Sequence, residues 1–218
     1  WCASANPRRR RRRFRAKALK RKPFIWTDKI ASGHPLHHDN DWSMSMTESA
    51  LNGKRILAVD DEADVRETLE DLLEGYPGLI LDQAADYETG YHLLRSWTYD
   101  AVILDIMGVR GYDLLNAAVH LRFPTVMLTA YAFSPEDLKH SITMGARAYI
   151  PKERMADIPA FLEDVIMLGH RSNLKKMFHR LGGVFNQQFG SRWMEDEKTF
   201  WDQVRSGGYR PEPVILKK

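Results

Sequence analysis

Arg55-Ile-Leu-Ala-Val-Asp-Asp-Glu62 opens with a short apolar run and ends in three consecutive acids. The run is too short for a buried helix and suits a strand covered on both faces, as in a parallel sheet. Val65, Leu69, Leu72 and Leu73 then recur at helical spacing. The same alternation continues. Leu79-Ile-Leu81, Ala101-Val-Ile-Leu104, Pro124 to Leu128 and Arg147 to Ile150 read as further strands. Helices are expected over Tyr87 to Trp97 and Tyr112 to Leu121, and after Ser134-Pro-Glu-Asp137. That last stretch offers Ser as cap, Pro at the first helical position and acids in the first turn. Five strand–helix units predict an α/β fold, a doubly wound five-stranded parallel sheet with helices on both faces. A site in such a sheet lies beyond the carboxyl ends of its strands.

Outside this stretch the pattern changes. Residues 1–53 hold 12 Lys/Arg against four Asp/Glu, a surplus of eight positive charges, and include the six arginines Arg8 to Arg13. Like charge at that density, without apolar periodicity, predicts a disordered segment. It begins at Trp1, and Met46 (Met44 less so) offers a native start, so the basic segment reads as upstream sequence rather than as a nucleic-acid arm. Residues 54–218 are acidic overall and give no general reason to expect nucleic-acid binding. One cysteine, Cys2, excludes an internal disulfide framework and multi-cysteine metal sites, and suits a reducing cytoplasm. No apolar run reaches the roughly 18 residues that a spanning helix needs.

Residues 155–218 read as helical. Ile158, Phe161, Leu162, Val165 and Ile166 form one apolar face; Leu174, Met177, Phe178, Leu181 and Phe185 form another, which Gly182-Gly183 is expected to interrupt. Trp193, Phe200, Trp201 and Val204 suggest a last short helix. The expected division is therefore 1–53, a disordered basic segment; 54–169, the α/β domain; and 170–218, a helical extension and tail.

The polar residues that follow the strands carry the chemistry. Asp60 and Asp61 follow the first, Asp105 ends the third, Thr129 the fourth and Lys152 the fifth. Three carboxylates converging on one edge repel, which a hard dication such as Mg²⁺ relieves by accepting oxygen ligands. One carboxylate then serves as nucleophile toward a phosphoryl group, while the Thr129 hydroxyl and Lys152 ammonium meet the phosphoryl oxygens. Each residue alone has an ordinary reading: Asp61 as a helix cap, Asp105 as a loop residue, Thr129 as a cap, Lys152 as a solvated charge. The ordered set at the ends of strands 1, 3, 4 and 5 is specific.

On these residues the chain resembles the receiver domains of two-component response regulators. Arg55 to Glu62 looks like their first strand and acidic pair, Ala101-Val-Ile-Leu-Asp-Ile106 like their phosphoacceptor strand, and Val126-Met-Leu-Thr-Ala130 like the strand ending in a switch hydroxyl. Gly145-Ala-Arg-Ala-Tyr-Ile-Pro-Lys152 resembles their fifth strand. The resemblance implies a flavodoxin-like strand order 2-1-3-4-5. It implies Asp105 as phosphoacceptor, Mg²⁺ held by Asp60, Asp61, Asp105 and the Met107 carbonyl, and Thr129 and Lys152 on the phosphoryl group with Ala130 beside it. Tyr149 would be the rotameric switch, following Thr129 inward and reshaping the face of helix 4, strand 5 and helix 5. Such a domain catalyses only its own phosphorylation and dephosphorylation. Two departures stand out. Many receivers carry Met-Pro after the phosphoacceptor and Gly about eight positions on; Asp105-Ile-Met-Gly-Val-Arg-Gly111 lacks the Pro and reaches Gly two residues sooner. Glu153 replaces the usual Pro after the lysine.

The implied partners are a histidine kinase or phosphotransfer protein upstream and an unidentified protein downstream, with a homodimer left open. A second reading, a DNA-binding regulator, would use Arg171, Lys175, Lys176 and Arg180 on the polar side of an amphipathic helix, where a solvated face is the ordinary explanation. No helix-turn-helix accompanies them. A haloacid-dehalogenase-like phosphatase would carry a second Asp two residues after the first, where Met107 stands.

Overall fold

Central strands of a sheet covered on both sides have no solvated face, and their sequences are accordingly apolar throughout. The computed structural model describes residues 48–130 and 134–211 and contains five strands, β1 (Arg55–Val59), β2 (Ile80–Ala84), β3 (Ala101–Asp105), β4 (Thr125–Thr129) and β5 (Ala148–Pro151). They pair in parallel in the order β2-β1-β3-β4-β5. Every residue of β3 and β4 is buried. The outermost β2 is only partly covered, and its Ile80 is half exposed.

Seven α-helices follow in chain order: α1 (Ala63–Leu73), α2 (Tyr87–Ser96), α3 (Gly111–His120), α4 (Pro135–Thr143), α5 (Ile158–Met167), α6 (His170–Phe189) and α7 (Lys198–Ser206). Helices α1 and α5 pack together, as do α2 and α3. The Ser134 signal acts as its sequence suggests: its hydroxyl accepts from the Asp137 amide at 3.0 Å, with Pro135 opening α4. Asp86 caps α2 by accepting from the Thr89 amide at 2.8 Å.

The structure departs from the sequence reading at three places. Folded contacts begin before residue 54: Leu51 is fully buried and the Ser49 hydroxyl donates to Glu163 of α5 at 2.6 Å. The remainder of the basic segment lies outside the described residues, as do residues 212–218. Lys152–Asp157 forms a 3-10 turn ahead of α5, so helical turns begin before residue 155, where the sequence reading placed their start. Gly182-Gly183 does not interrupt α6, which runs unbroken for 20 residues. Nothing lies within 4 Å of a Cβ built at either glycine, so packing does not call for them. The apolar face of Leu174, Met177, Phe178, Leu181 and Phe185 is buried along the whole helix, and that burial outweighs the loss of about 1 kcal/mol per glycine in helix propensity. Among the described residues no helix is long and apolar enough to cross a membrane.

Candidate functional site

Strands β1, β3 and β5 each deliver one charged residue to the same corner of the sheet. Asp60 follows β1 and is almost wholly buried; Asp105 ends β3 with about one-twentieth of its surface exposed. Lys152 follows β5, and its Nζ lies 2.8 Å from Asp60 Oδ2, 2.9 Å from Glu62 Oε1 and 3.0 Å from Asp105 Oδ1. The second oxygen of Asp105 accepts from the backbone amides of Met107 at 2.9 Å and Gly108 at 3.0 Å. Both carboxylate oxygens of Asp105 are thus held, one by charge and one by two amides, which fixes its rotamer.

Burial has a measurable cost here. Desolvation raises the pKa of Asp60, and the neighbouring charge of Asp105 adds to it; Lys152 and the Glu62 amide, which donates to Oδ1 at 3.0 Å, offset only part. Lys152 responds in the opposite sense. Burial pulls its pKa down, but the carboxylates of Asp60, Glu62 and Asp105 around its ammonium outweigh that and hold it above the ordinary lysine range. A carboxylate with a raised folded pKa costs stability once ionised, and that cost fades as pH falls through its titration. Asp60→Asn is therefore expected to raise the thermal unfolding midpoint at pH 7. The difference should shrink toward zero as pH drops through the Asp60 titration range, as differential scanning calorimetry across pH will register.

Thr129, at the end of β4, is buried and stands in register beside Pro151 of β5. Tyr149 on β5 is wholly buried, and desolvation raises its pKa well above the usual phenol range; the Thr129 side chain and the Ser134 backbone are its hydrogen-bonding neighbours. An inward swing of Tyr149 was the expected consequence of switching, yet the ring already lies inside. Ala130 is half-buried at the rim. Asp61 stands outside the Lys152 ion pairs but borders the cluster through Gly108, whose amide holds Asp105. Asp61 is exposed and lies against Gly108, where an added Cβ would fall 1.9 Å from its Oδ1. Among the described residues no three acidic, histidine or cysteine side chains stand grouped around one point as metal ligands. The donor set nonetheless fits a hard dication: it is all oxygen, and the buried Oδ2 of Asp60 meets Lys152 as an ion pair without any aligned hydrogen bond.

Glu62 and Arg66 were not singled out in the sequence. Glu62 supplies the third carboxylate on Lys152, and the Arg66 guanidinium donates to the Asp60 carbonyl. Glu62 directly follows the acid pair, so its signal was adjacency alone; Arg66 carried none. The basic residues of α6 are partly spent within the chain, since Lys176 and Arg180 lie 2.7 and 3.1 Å from Asp164. The side chain of Arg171 lies outside the described residues.

Residues 56–163 match the family of the response regulator receiver domain. The chain is 30% identical over 158 residues to the transcriptional regulatory protein PdtaR of Mycobacterium tuberculosis, covering 63% of this chain and 75% of PdtaR. It is 35% identical over 103 residues to the probable transcriptional regulatory protein SilR of Salmonella typhimurium, covering 45% of this chain and 44% of SilR. Among solved structures, a CheY-like response regulator receiver domain protein from Methanospirillum hungatei is 28% identical with a TM-score of 0.41, covering 62% of this chain and 98% of its own. The chain belongs to the response regulator receiver family of two-component signalling. It spans less than half the length of SilR.

Proposed function

We propose that Asp105 accepts a phosphoryl group from a phosphohistidine on a kinase or phosphotransfer protein, and that the phosphorylated domain signals through contacts with another protein. The observation that carries this reading is the placement of Lys152 between Asp60 and Asp105, both buried. In the transfer an Asp105 oxygen bonds phosphorus as the donor's N–P bond breaks, leaving an acyl phosphate. Lys152 turns from the carboxylate to the incoming oxygens, and the Thr129 hydroxyl donates to a second. The amides of Met107 and Gly108 keep the spectator oxygen of Asp105 aimed away from the donor. Asp60, Asp61, Asp105 and the Met107 carbonyl would hold Mg²⁺, which offsets the charge that gathers on the phosphoryl oxygens. The domain acts on no separate substrate. We place it in the cytoplasm, with 54–169, and the Ser49 turn that packs on it, as the receiver and 170–218 as an extension.

The relatives' names speak of transcriptional regulation, which would suit a second reading as a DNA-binding regulator. Its basic face is weakened by the engagement of Lys176 and Arg180 with Asp164, so the protein-contact reading is preferred.

The test is intact mass after incubation with acetyl phosphate and Mg²⁺. One added phosphoryl group (roughly 80 Da), labile to hydroxylamine and placed on Asp105 by fragmentation, is the expected result. A group found on another residue, or no gain with either acetyl phosphate or a phosphohistidine donor, overturns the proposal.

A further inference from the structure

The extension is not appended at a distance; it touches α4, β5 and α5 by three different chemistries. On α5, Asp164 is buried and receives Lys176 at 2.7 Å and Arg180 at 3.1 Å, both from α6. On β5, the Tyr149 amide donates to Met177 Sδ of α6 at 3.2 Å. On α4, Lys139 pairs with Glu197 just before α7, and its Nζ lies 5.4 Å from the centre of the Phe200 ring.

These anchors differ in strength. The α5 and β5 anchors sit on a buried carboxylate and a buried strand. The α4 anchor is an exposed ion pair of small worth. A cleft of about 570 Å³ runs beside it, lined on one side by Pro135, Glu136 and His140 and on the other by Phe189, Trp193 and Trp201. The α4 seam therefore joins the weakest of the three anchors to an open cleft. The extension is itself well knit: Phe178 of α6 stacks near Trp193 at 6.3 Å and Trp201 at 6.0 Å, and the two tryptophans lie 4.7 Å apart. Movement therefore falls at the α4 side rather than within α6–α7.

The loose seam is also the one wired to the site. Tyr149 has the Thr129 side chain and the backbone of Ser134 as its neighbours, and Ser134 is the cap of α4. A shift of Thr129 toward a phosphoryl group disturbs both bonds of the phenol and so the seating of α4. We propose that residues 170–206 are the receiver's own output partner: α6 stays fixed on β5 and α5, while phosphorylation of Asp105 opens the seam between α4 and α7. The inference rests on the phosphoacceptor reading above. It names what opening uncovers, the aromatic wall of Trp193 and the buried Trp201 with the facing surface of α4.

Hydrogen exchange followed by mass spectrometry on the full chain, with and without acetyl phosphate and Mg²⁺, tests it, intact mass being recorded on the same samples. In phosphorylated chain, amides of 135–143 and 198–206 should exchange roughly tenfold faster while those of 173–181 keep their protection. Tyr149→Phe keeps the ring and removes the hydroxyl; at equal phosphoryl occupancy the acceleration should shrink at least about threefold. A phosphoryl gain with α4 and α7 unchanged, or with all of 170–206 loosened together, overturns the inference and leaves the phosphoacceptor reading standing. An equal response in Tyr149→Phe also overturns it. Absence of any phosphoryl gain takes down both.

Discussion

Lys152→Ala is expected to slow phosphoryl gain from acetyl phosphate by roughly 10²- to 10³-fold, the usual cost of removing one preorganised donor from a charge-developing site. The ammonium is the common partner of Asp60, Glu62 and Asp105, all within 3.0 Å. Without it two buried carboxylates face each other, and one is driven further toward its protonated form. The phosphoryl oxygens lose their cationic contact, and Asp105 loses the charge that holds its Oδ1. Stability falls too. Removing one member of a buried ion pair costs about 3 kcal/mol at pH 7, measurable by urea denaturation. The sign with pH follows from the raised folded pKa of Lys152. Its contribution is complete below the ordinary lysine pKa and is lost as pH rises through the folded value. The variant's deficit should also shrink in acid, where Asp60 takes up a proton. A variant that accepts phosphoryl at the wild-type rate would remove Lys152 from the mechanism.

Gly111→Ala should cost at least about 4 kcal/mol or prevent folding, because the clash it creates is with backbone and has nowhere to go. A Cβ at Gly111 would lie 2.0 Å from the Asp105 carbonyl oxygen and 2.8 Å from Ile106 Cα. The cause is the shortened loop. Between Asp105 and α3 the chain turns in so few residues that Arg110 adopts a left-handed conformation at φ 54° and the Gly111 amide closes onto the Ile106 carbonyl at 3.2 Å. Arg110 is retained there by pairing with Asp113 and by lying 4.2 Å over the Tyr87 ring. Circular dichroism with urea denaturation decides the matter. A loss under about 1 kcal/mol would mean that the loop yields and that its short form imposes no constraint.

The parts of the fold legible in the sequence were those governed by short-range rules. Strands β3 and β4 are apolar because both faces are buried, and Ser134-Pro135 marks a helix start through its own hydroxyl and ring. The meeting of Asp60, Asp105 and Lys152 was readable because a parallel sheet sends all carboxyl ends to one edge. What the sequence hid depends on long-range contact. Leu51 looked like part of a charged tail, although it fills a core position. Gly182-Gly183 looked like a break, because helix propensity is local while the burial that overrides it comes from Trp201, Val204 and the sheet. Asp61 looked equivalent to Asp60; the turn after β1 sends Asp60 into the interior and Asp61 against Gly108. The role of α6 was hidden for the same reason, since Met177 reads as one more apolar residue of a stripe.

Met177 has a consequence of its own. Among the described residues β5 is the last strand of the sheet and its outer side meets no further strand, and unpaired donors on such an edge are templates for another chain to add itself. The thioether takes up the Tyr149 donor, and α6 lies where an intruding strand would have to go. The helix is in this respect a guard against aggregation, built from sequence that follows the conventional domain boundary. A receiver trimmed at Gly169 is thus left with a sticky flank, and the natural minimal unit for expression or crystallisation runs through α6.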